Sequence, residues 1–171
     1  MKQLVLFFGL FAMISIQASA QKSSPANYST ALGVRTNPYL IGFTVKHFIA
    51  GPHAIEGIVS TNFSRRGNVT FTGLYEYNWN FLPNKEWVMY AGGGAHVGAY
   101  DRYDYYDNDL DRLDDGTYVT AGLDGIFGVE YKFKKIPLVL SADVKPYVNF
   151  SNGTHHIGEE ILGISARYTI R

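Results

Sequence analysis

The chain contains no cysteine in its 171 residues. No disulfide can staple its fold, no thiolate can hold a metal, and no cysteine can act as a nucleophile. Exported domains of modest size commonly carry disulfides, so this one must draw its stability from a good core or from a solvent other than water. A surplus of either charge is also missing, with 15 Lys+Arg against 15 Asp+Glu. Nothing in that balance argues for nucleic acid or for anionic headgroups as partners. Long apolar runs are scarce as well. After residue 16 no stretch approaches the roughly 18 residues that mark a membrane-crossing helix, and no long amphipathic helical period occurs.

The one apolar run lies at the start. Lys2 is followed by an almost unbroken stretch from Leu4 to Ile16, then by Ala18-Ser19-Ala20. A basic residue, a short apolar core and small residues make a secretory signal peptide over residues 1–20, with Gln21 the first mature residue. A spanning helix needs about 20 apolar residues, more than this run holds. Removing 20 residues from 171 leaves 151, a single domain over 21–171. Lys2 leaves with the signal, so 15 − 1 = 14 basic residues face 15 acidic ones.

What remains is strand chemistry. From Asn68 to Phe81, Val69, Phe71, Gly73, Tyr75, Tyr77, Trp79 and Phe81 alternate with Thr70, Thr72, Leu74, Glu76, Asn78 and Asn80. Successive side chains of a strand point to opposite faces, so this segment has one greasy and one wet face. Tyr118–Phe133, Leu138–Phe150 and Leu162–Ile170 repeat the pattern. Weaker strands are expected over Tyr28–Arg35, Tyr39–Ile49, Ala54–Phe63 and Trp87–Tyr100, making eight. Most match or exceed the roughly 9–11 residues that a tilted strand needs to cross a bilayer, whereas ordinary globular strands run nearer 5–6. The expected fold is all-β: an eight-stranded antiparallel up-and-down transmembrane β-barrel.

The connections alternate in length. Residues 50–53, 82–86 and 134–137 are short turns. Residues 36–38, 64–67, the long 101–116 and 151–160 form the other set. Outer-membrane barrels have short periplasmic turns and longer outside loops, so the second set is assigned outside. Trp79, Phe81, Trp87, Tyr131, Phe133 and Tyr168 then fall near the inner end, and Tyr39, Phe63, Tyr118 and Phe150 near the outer end. Two such aromatic belts are what a bilayer interface favours.

Several stretches carry a resemblance: Thr44-Val45-Lys46-His47-Phe48, Leu74-Tyr75-Glu76-Tyr77, Gly93-Gly94-Ala95-His96-Val97-Gly98, the run from Gly122 to Tyr131, and Ile136-Pro137-Leu138. With them the mature chain resembles the small eight-stranded outer-membrane barrels of the OmpX and OmpA-barrel kind, in the form common in Bacteroidetes. The resemblance implies residence in the bacterial outer membrane, contact with its lipid, and insertion by the barrel assembly machinery. Such barrels usually end in an aromatic residue; here the end is Tyr168-Thr169-Ile170-Arg171.

The wet faces collect Arg35, Lys46, Lys132, Lys145 and Arg167 with Glu56, Glu76, Asp124, Glu130 and Asp143. An eight-stranded barrel is just wide enough to be filled by side chains, so these charges are expected to pair inside it. Folding about Gly51 sets Lys46 opposite Glu56, and folding about Arg66 sets Glu56 opposite Glu76, where two carboxylates would share a cation or a proton. His96 is expected as a packed lumen histidine. The outer loop over 101–116 interleaves Tyr103, Tyr105 and Tyr106 with Asp107, Asp109 and Asp111. The aspartates begin like a calcium loop, but Arg112 stands where its glycine belongs. Tyrosines among acids also suit a contact surface on an unknown partner, beside the plainer reading of a solvated surface loop, and neither metal nor cofactor is expected.

Four functional readings stand. The first is a non-enzymatic structural or surface-contact barrel. The second is a narrow pore or ion path. The third is an outer-leaflet lipid hydrolase drawing on Ser151, Thr154, His155 and His156. The fourth is a soluble periplasmic barrel of lipocalin type, with its greasy faces inside around a ligand.

Overall fold

The computed structural model describes residues 24–62, 69–101, 117–150 and 161–170. Nine β segments follow in order: β1 (Thr30–Thr36), β2 (Leu40–Ala50), β3 (His53–Asn62), β4 (Val69–Asn80), β5 (Trp87–Asp101), β6 (Thr117–Lys132), β7 (Leu138–Val144), β8 (Tyr147–Asn149) and β9 (Leu162–Ile170). β7 and β8 are two pieces of one stave, since both pair antiparallel with β6. Pro146 lies between them. A proline has no N–H to give to a ladder, which interrupts the strand that the sequence pattern runs straight through. Its carbonyl still accepts from Gly125 N at 2.7 Å. Each stave pairs with the next, β5 joins β6, and β1 pairs with β9. The result is a closed eight-stranded antiparallel barrel. Closure leaves no edge strand with unmade backbone hydrogen bonds.

The alternation works as the sequence predicts and sets the orientation of every face. β4 alternates exposed and buried from Val69 through Asn78. Thr70, Thr72, Leu74, Glu76 and Asn78 point inward, while Phe71, Tyr75 and Tyr77 point outward. On other strands Phe43, Leu123 and Ile164 are 59%, 55% and 62% exposed, whereas Lys46, Glu76, Glu130 and Arg167 are fully buried. The molecule is apolar outside and polar inside. A lipocalin-type barrel needs the reverse, and the structure opposes that reading.

The first strand differs from expectation. It begins at Thr30 rather than Tyr28. Asn27 adopts a left-handed φ of 60°, a conformation asparagine tolerates better than most residues, and this turns the preceding segment across the barrel mouth. Ser24 Oγ donates to Tyr28 O at 2.6 Å and accepts from Tyr28 N at 3.2 Å. The Tyr28 ring meets Phe48 edge-on at 5.1 Å. Ala26, Tyr28, Ala31, Phe48, Ala54, Val88 and Val139 form one buried apolar layer that corks the end bearing the short turns, the inner end.

At that end the aromatic side chains form a continuous band. Trp87 lies 4.8 Å from Tyr131, and Tyr131 lies 5.0 Å from Phe133. Phe81 adds to it, 6.4 Å from Trp87. Tyr39 and Phe150 are exposed at the other end.

An outward face that meets lipid tolerates charge poorly. Leu123→Arg, near the middle of β6, is expected to destabilise the protein in lipid vesicles by about 2–4 kcal/mol, as arginine does at a bilayer midplane. Equilibrium denaturant titration in vesicles measures it. A surface facing water would register almost no change.

Candidate functional site

The lumen gathers most of the chain's charged strand residues. Arg35, Lys46, Glu56, Glu76, Asp124, Glu130, Asp143, Lys145 and Arg167 are all buried there. Lys132 departs from the expected set. It stands at the inner mouth, half-buried, where its Nζ donates to Asn27 O at 2.7 Å. It is the last residue of β6, so its side chain clears the barrel and reaches the segment that corks it.

The charges form three groups. In the central group Arg167 Nη2 pairs with Glu56 Oε1, and Arg167 Nη1 lies 3.4 Å from Glu130 Oε2. Lys46 Nζ lies 2.8 Å from Glu76 Oε2, out of line for a hydrogen bond, and 3.5 Å from Glu130 Oε2. Neutral donors and acceptors complete the shell. Thr44 Oγ1 donates to Glu56, Tyr28 Oη donates to Glu130 Oε1 at 2.8 Å, and Lys46 Nζ donates to Asn78 Oδ1 at 2.7 Å. Lys46 also sits over the Tyr90 ring at 4.2 Å, a favourable cation–π placement. Three carboxylates share two cations, and Glu56 Oε2 and Glu76 Oε1 find no donor.

Lys46 and Glu56 do face each other in register. Their long side chains nonetheless diverge, Lys46 toward Glu76 and Glu56 toward Arg167. The expected Glu56–Glu76 register does not form: Glu56 faces Leu74, and Glu76 faces Ala54. The hairpin is centred one residue earlier than Arg66, which slides the pairing by two. A slip of two keeps every side chain on its face, so the pattern of faces is blind to it. Lys46 is shared by Glu76 and Glu130, and the Glu56 and Glu76 carboxyl groups, diagonal neighbours across β3 and β4, still meet.

The second group is a bidentate pair. Arg35 Nη1 and Nη2 each donate to Asp143 at 2.5 Å, and Tyr90 Oη donates to Asp143 Oδ2 at 3.1 Å. The third group holds Asp124 between Lys145 Nζ and His96 Nδ1, each at 2.8 Å. His96 Nε2 lies 2.7 Å from Asn149 Oδ1, and its ring stands edge-on to Tyr147. A histidine with both ring nitrogens engaged has none left to activate a nucleophile.

Glycines make room for these crossings. A Cβ at Gly163 would strike the Arg35 guanidinium, one at Gly128 the Tyr90 ring and Asp143, and one at Gly122 the His96 ring. Tyr90 faces Gly128, which faces Asp143; His96 faces Gly122, which faces Asn149. Each glycine sits on the stave between two partners and lets their side chains meet across it. The free space beside Arg35, Ile58, Thr72 and Lys145 is about 20 Å³, room for a single water.

Tyr90, Tyr28, Thr44, Asn78 and Asn149 belong to this lumen but were not singled out from sequence. For Tyr90 a signal existed, since it shares the period-2 face of Val88 and His96. Tyr103, Tyr105, Tyr106, Asp107, Asp109 and Asp111, and Ser151, Thr154, His155 and His156, lie outside the described residues. Among the described residues no three His, Cys, Asp or Glu are grouped to hold a metal ion.

No family model matches the chain, and no curated protein matches it. A solved structure does. The crystal structure of the N-terminal β-barrel domain of Pseudomonas aeruginosa OprF superposes with a TM-score of 0.61. The match covers 82% of this chain and 95% of that one at 11% sequence identity, a likeness of fold alone.

Removing one partner of a buried ion pair strands the other. Arg167→Met, which leaves Glu56 and Glu130 facing one another, is expected to cost about 3–5 kcal/mol. Arg167→Met/Glu56→Met should recover much of that loss, because the stranded charge goes too. Denaturant midpoints of the two variants against the parent check both statements.

Proposed function

We propose that the protein is an integral outer-membrane barrel whose lumen is a sealed structural core, and whose function is exercised at its rims as a structural or surface-contact protein. The observation that carries this reading is the filled interior: paired charges occupy its middle, and the Ser24–Tyr28 segment corks one mouth. The apolar outer face, the aromatic band at the inner end and the signal-peptide pattern support a membrane location. The OmpX-like stretches support membership of the small-barrel group in its Bacteroidetes form. Outer-membrane lipid and the barrel assembly machinery are the partners this location implies.

A narrow pore needs a path, and the room found beside Arg35 admits one water. A lipid hydrolase needs a nucleophile beside a free base. The residues that reading draws on, Ser151, Thr154, His155 and His156, lie outside the described residues, and the described lumen histidine is committed to Asp124 and Asn149. Surface contact falls to the 101–116 stretch, where Tyr103, Tyr105 and Tyr106 alternate with Asp107, Asp109 and Asp111. Tyrosine supplies large contact area at low entropic cost, and the aspartates give the surface a sign.

Two measurements on reconstituted protein test the proposal. Unboiled samples should migrate differently from boiled ones on SDS gels, because a closed hydrogen-bond ladder resists the detergent until heated. Vesicles loaded with a small fluorescent dye and carrying the folded protein should retain it as well as empty vesicles. Dye release in proportion to folded protein would establish a pore, and a soluble fold without detergent would remove the membrane reading.

A further inference from the structure

The balanced net charge of the chain conceals a local separation. At the inner end the β4–β5 and β6–β7 turns bring Lys85, Lys134 and Lys135 beside Lys132 around a cleft of about 600 Å³. Among the described residues Glu86 is the one carboxylate lining it. Two of the cations are fixed: Lys132 by Asn27 O at 2.7 Å, and Lys134 by an ion pair with Glu86. The hydrogen bond from Lys134 to Glu86 holds that ammonium above the ordinary lysine range, so it remains charged. Lys85 and Lys135 have no carboxylate partner among the described residues. Four ammonium groups facing one carboxylate repel each other, and an anion in the cleft relieves that repulsion.

The walls decide which anion. Phe133 lines the cleft and packs against Tyr131 in the aromatic band, so one side of the cleft is continuous with the membrane interface. The turns themselves carry exposed apolar side chains: Ile136, 49% exposed, lines the cleft, and Leu82, 41% exposed, precedes the lining residues 84–86 on the other turn. A soluble anion would leave both wet. A lipid, with an anionic head and acyl chains, would neutralise the lysines and cover Leu82 and Ile136 together. A cleft of this volume lies within the range of small-molecule sites. Lysine suits a phosphate as a mobile point charge on a flexible stem.

We propose that this cleft binds the phosphate of an anionic phospholipid in the leaflet at the inner end, with Lys85 and Lys135 as the mobile contacts. Lys132 and Lys134 are the anchored charges beside them. The inference rests on the membrane reading above.

Trp79 and Trp87, the two tryptophans of the chain, both lie at this end and report on nearby lipid. The protein is reconstituted into phosphatidylcholine vesicles containing an equal mole fraction of bromine-labelled phosphatidylglycerol or bromine-labelled phosphatidylcholine. Labelled phosphatidylglycerol is expected to quench tryptophan fluorescence more strongly. Each lysine at an anionic surface is worth roughly a five-fold change in partitioning, so Lys85→Gln/Lys135→Gln should remove most of the preference. Equal quenching by the two lipids in the parent protein overturns the proposal, as does a preference that survives in the double variant. A preference abolished by inorganic phosphate, but not by sodium chloride of the same ionic strength, also overturns it by assigning the cleft to a soluble anion. The heat-dependent gel shift is read on the same vesicles. A folded barrel without lipid preference sinks this inference alone, whereas absence of the shift sinks the membrane reading beneath it.

Discussion

The pull toward charge neutrality inside a filled tube, where three central carboxylates share two cations, is the constraint on which the rest of this structure depends. Lys46 and Arg167 are held with Glu56, Glu76 and Glu130 in a space with almost no access to water. Charges there cannot be left to solvent, and each must find a counter-charge or a donor. Arg167 links β9 to β3 through Glu56 and to β6 through Glu130; Lys46 links β2 to β4 and β6. These are contacts across the barrel rather than along it, so they fix its cross-section. The inner cork belongs to the same system, because Tyr28, anchored to the Glu130 carboxylate, carries the N-terminal segment with it. Closure at the mouth and neutrality at the centre are therefore coupled through one hydroxyl.

Neutrality in turn dictates where glycine must stand. A guanidinium can cross from one stave to the next but one only if the stave between them carries no side chain at that level. Gly163 under Arg35 and Gly128 under Tyr90 meet this need, and both crossings end on Asp143. Glycine in a strand ordinarily weakens it, since it packs nothing and loses the most backbone freedom. Here the loss is offset by charge-assisted bonds that the gap permits. The outer face has no such demands. In the proposed membrane setting lipid tails are as apolar as leucine, so outward residues need only be greasy. Identity matters inside and character matters outside, which inverts the usual distribution in a water-soluble domain.

That inversion also explains which features could be read from the chain. Character alternating with period two is written residue by residue, so the strands over Asn68–Phe81 and Tyr118–Phe133 and the burial of Glu76, Asp124 and Glu130 were legible. Register is not written that way. A two-residue slip between β3 and β4 leaves every face intact, and it moved Glu76 from Glu56 to Ala54 without disturbing the pattern. Lys132 has the parity of a lumen residue but ends its strand, and parity says nothing of where a strand stops. Tyr28 fits a strand by composition; the left-handed φ at Asn27 is a single backbone angle with no periodic trace. The break at Pro146 was present as a proline and was overridden by the alternation on either side of it.

A filled lumen leaves the two rims as separate chemical surfaces, and the composition averages over both. The inner rim carries Lys85, Lys132, Lys134 and Lys135 on short turns and a strand end. The 101–116 stretch carries seven aspartates against two arginines. Summed, these nearly cancel, so a chain with no net charge carries one basic cluster and one acidic stretch. Between them the buried lumen charges are grouped into ion pairs. Exposed charges are screened within a Debye length of about 10 Å, and the 16-residue β6 holds its two ends further apart than that. What the protein presents to its surroundings is thus set locally, turn by turn, while the sealed barrel supplies the fixed distance and the insulation between its two faces.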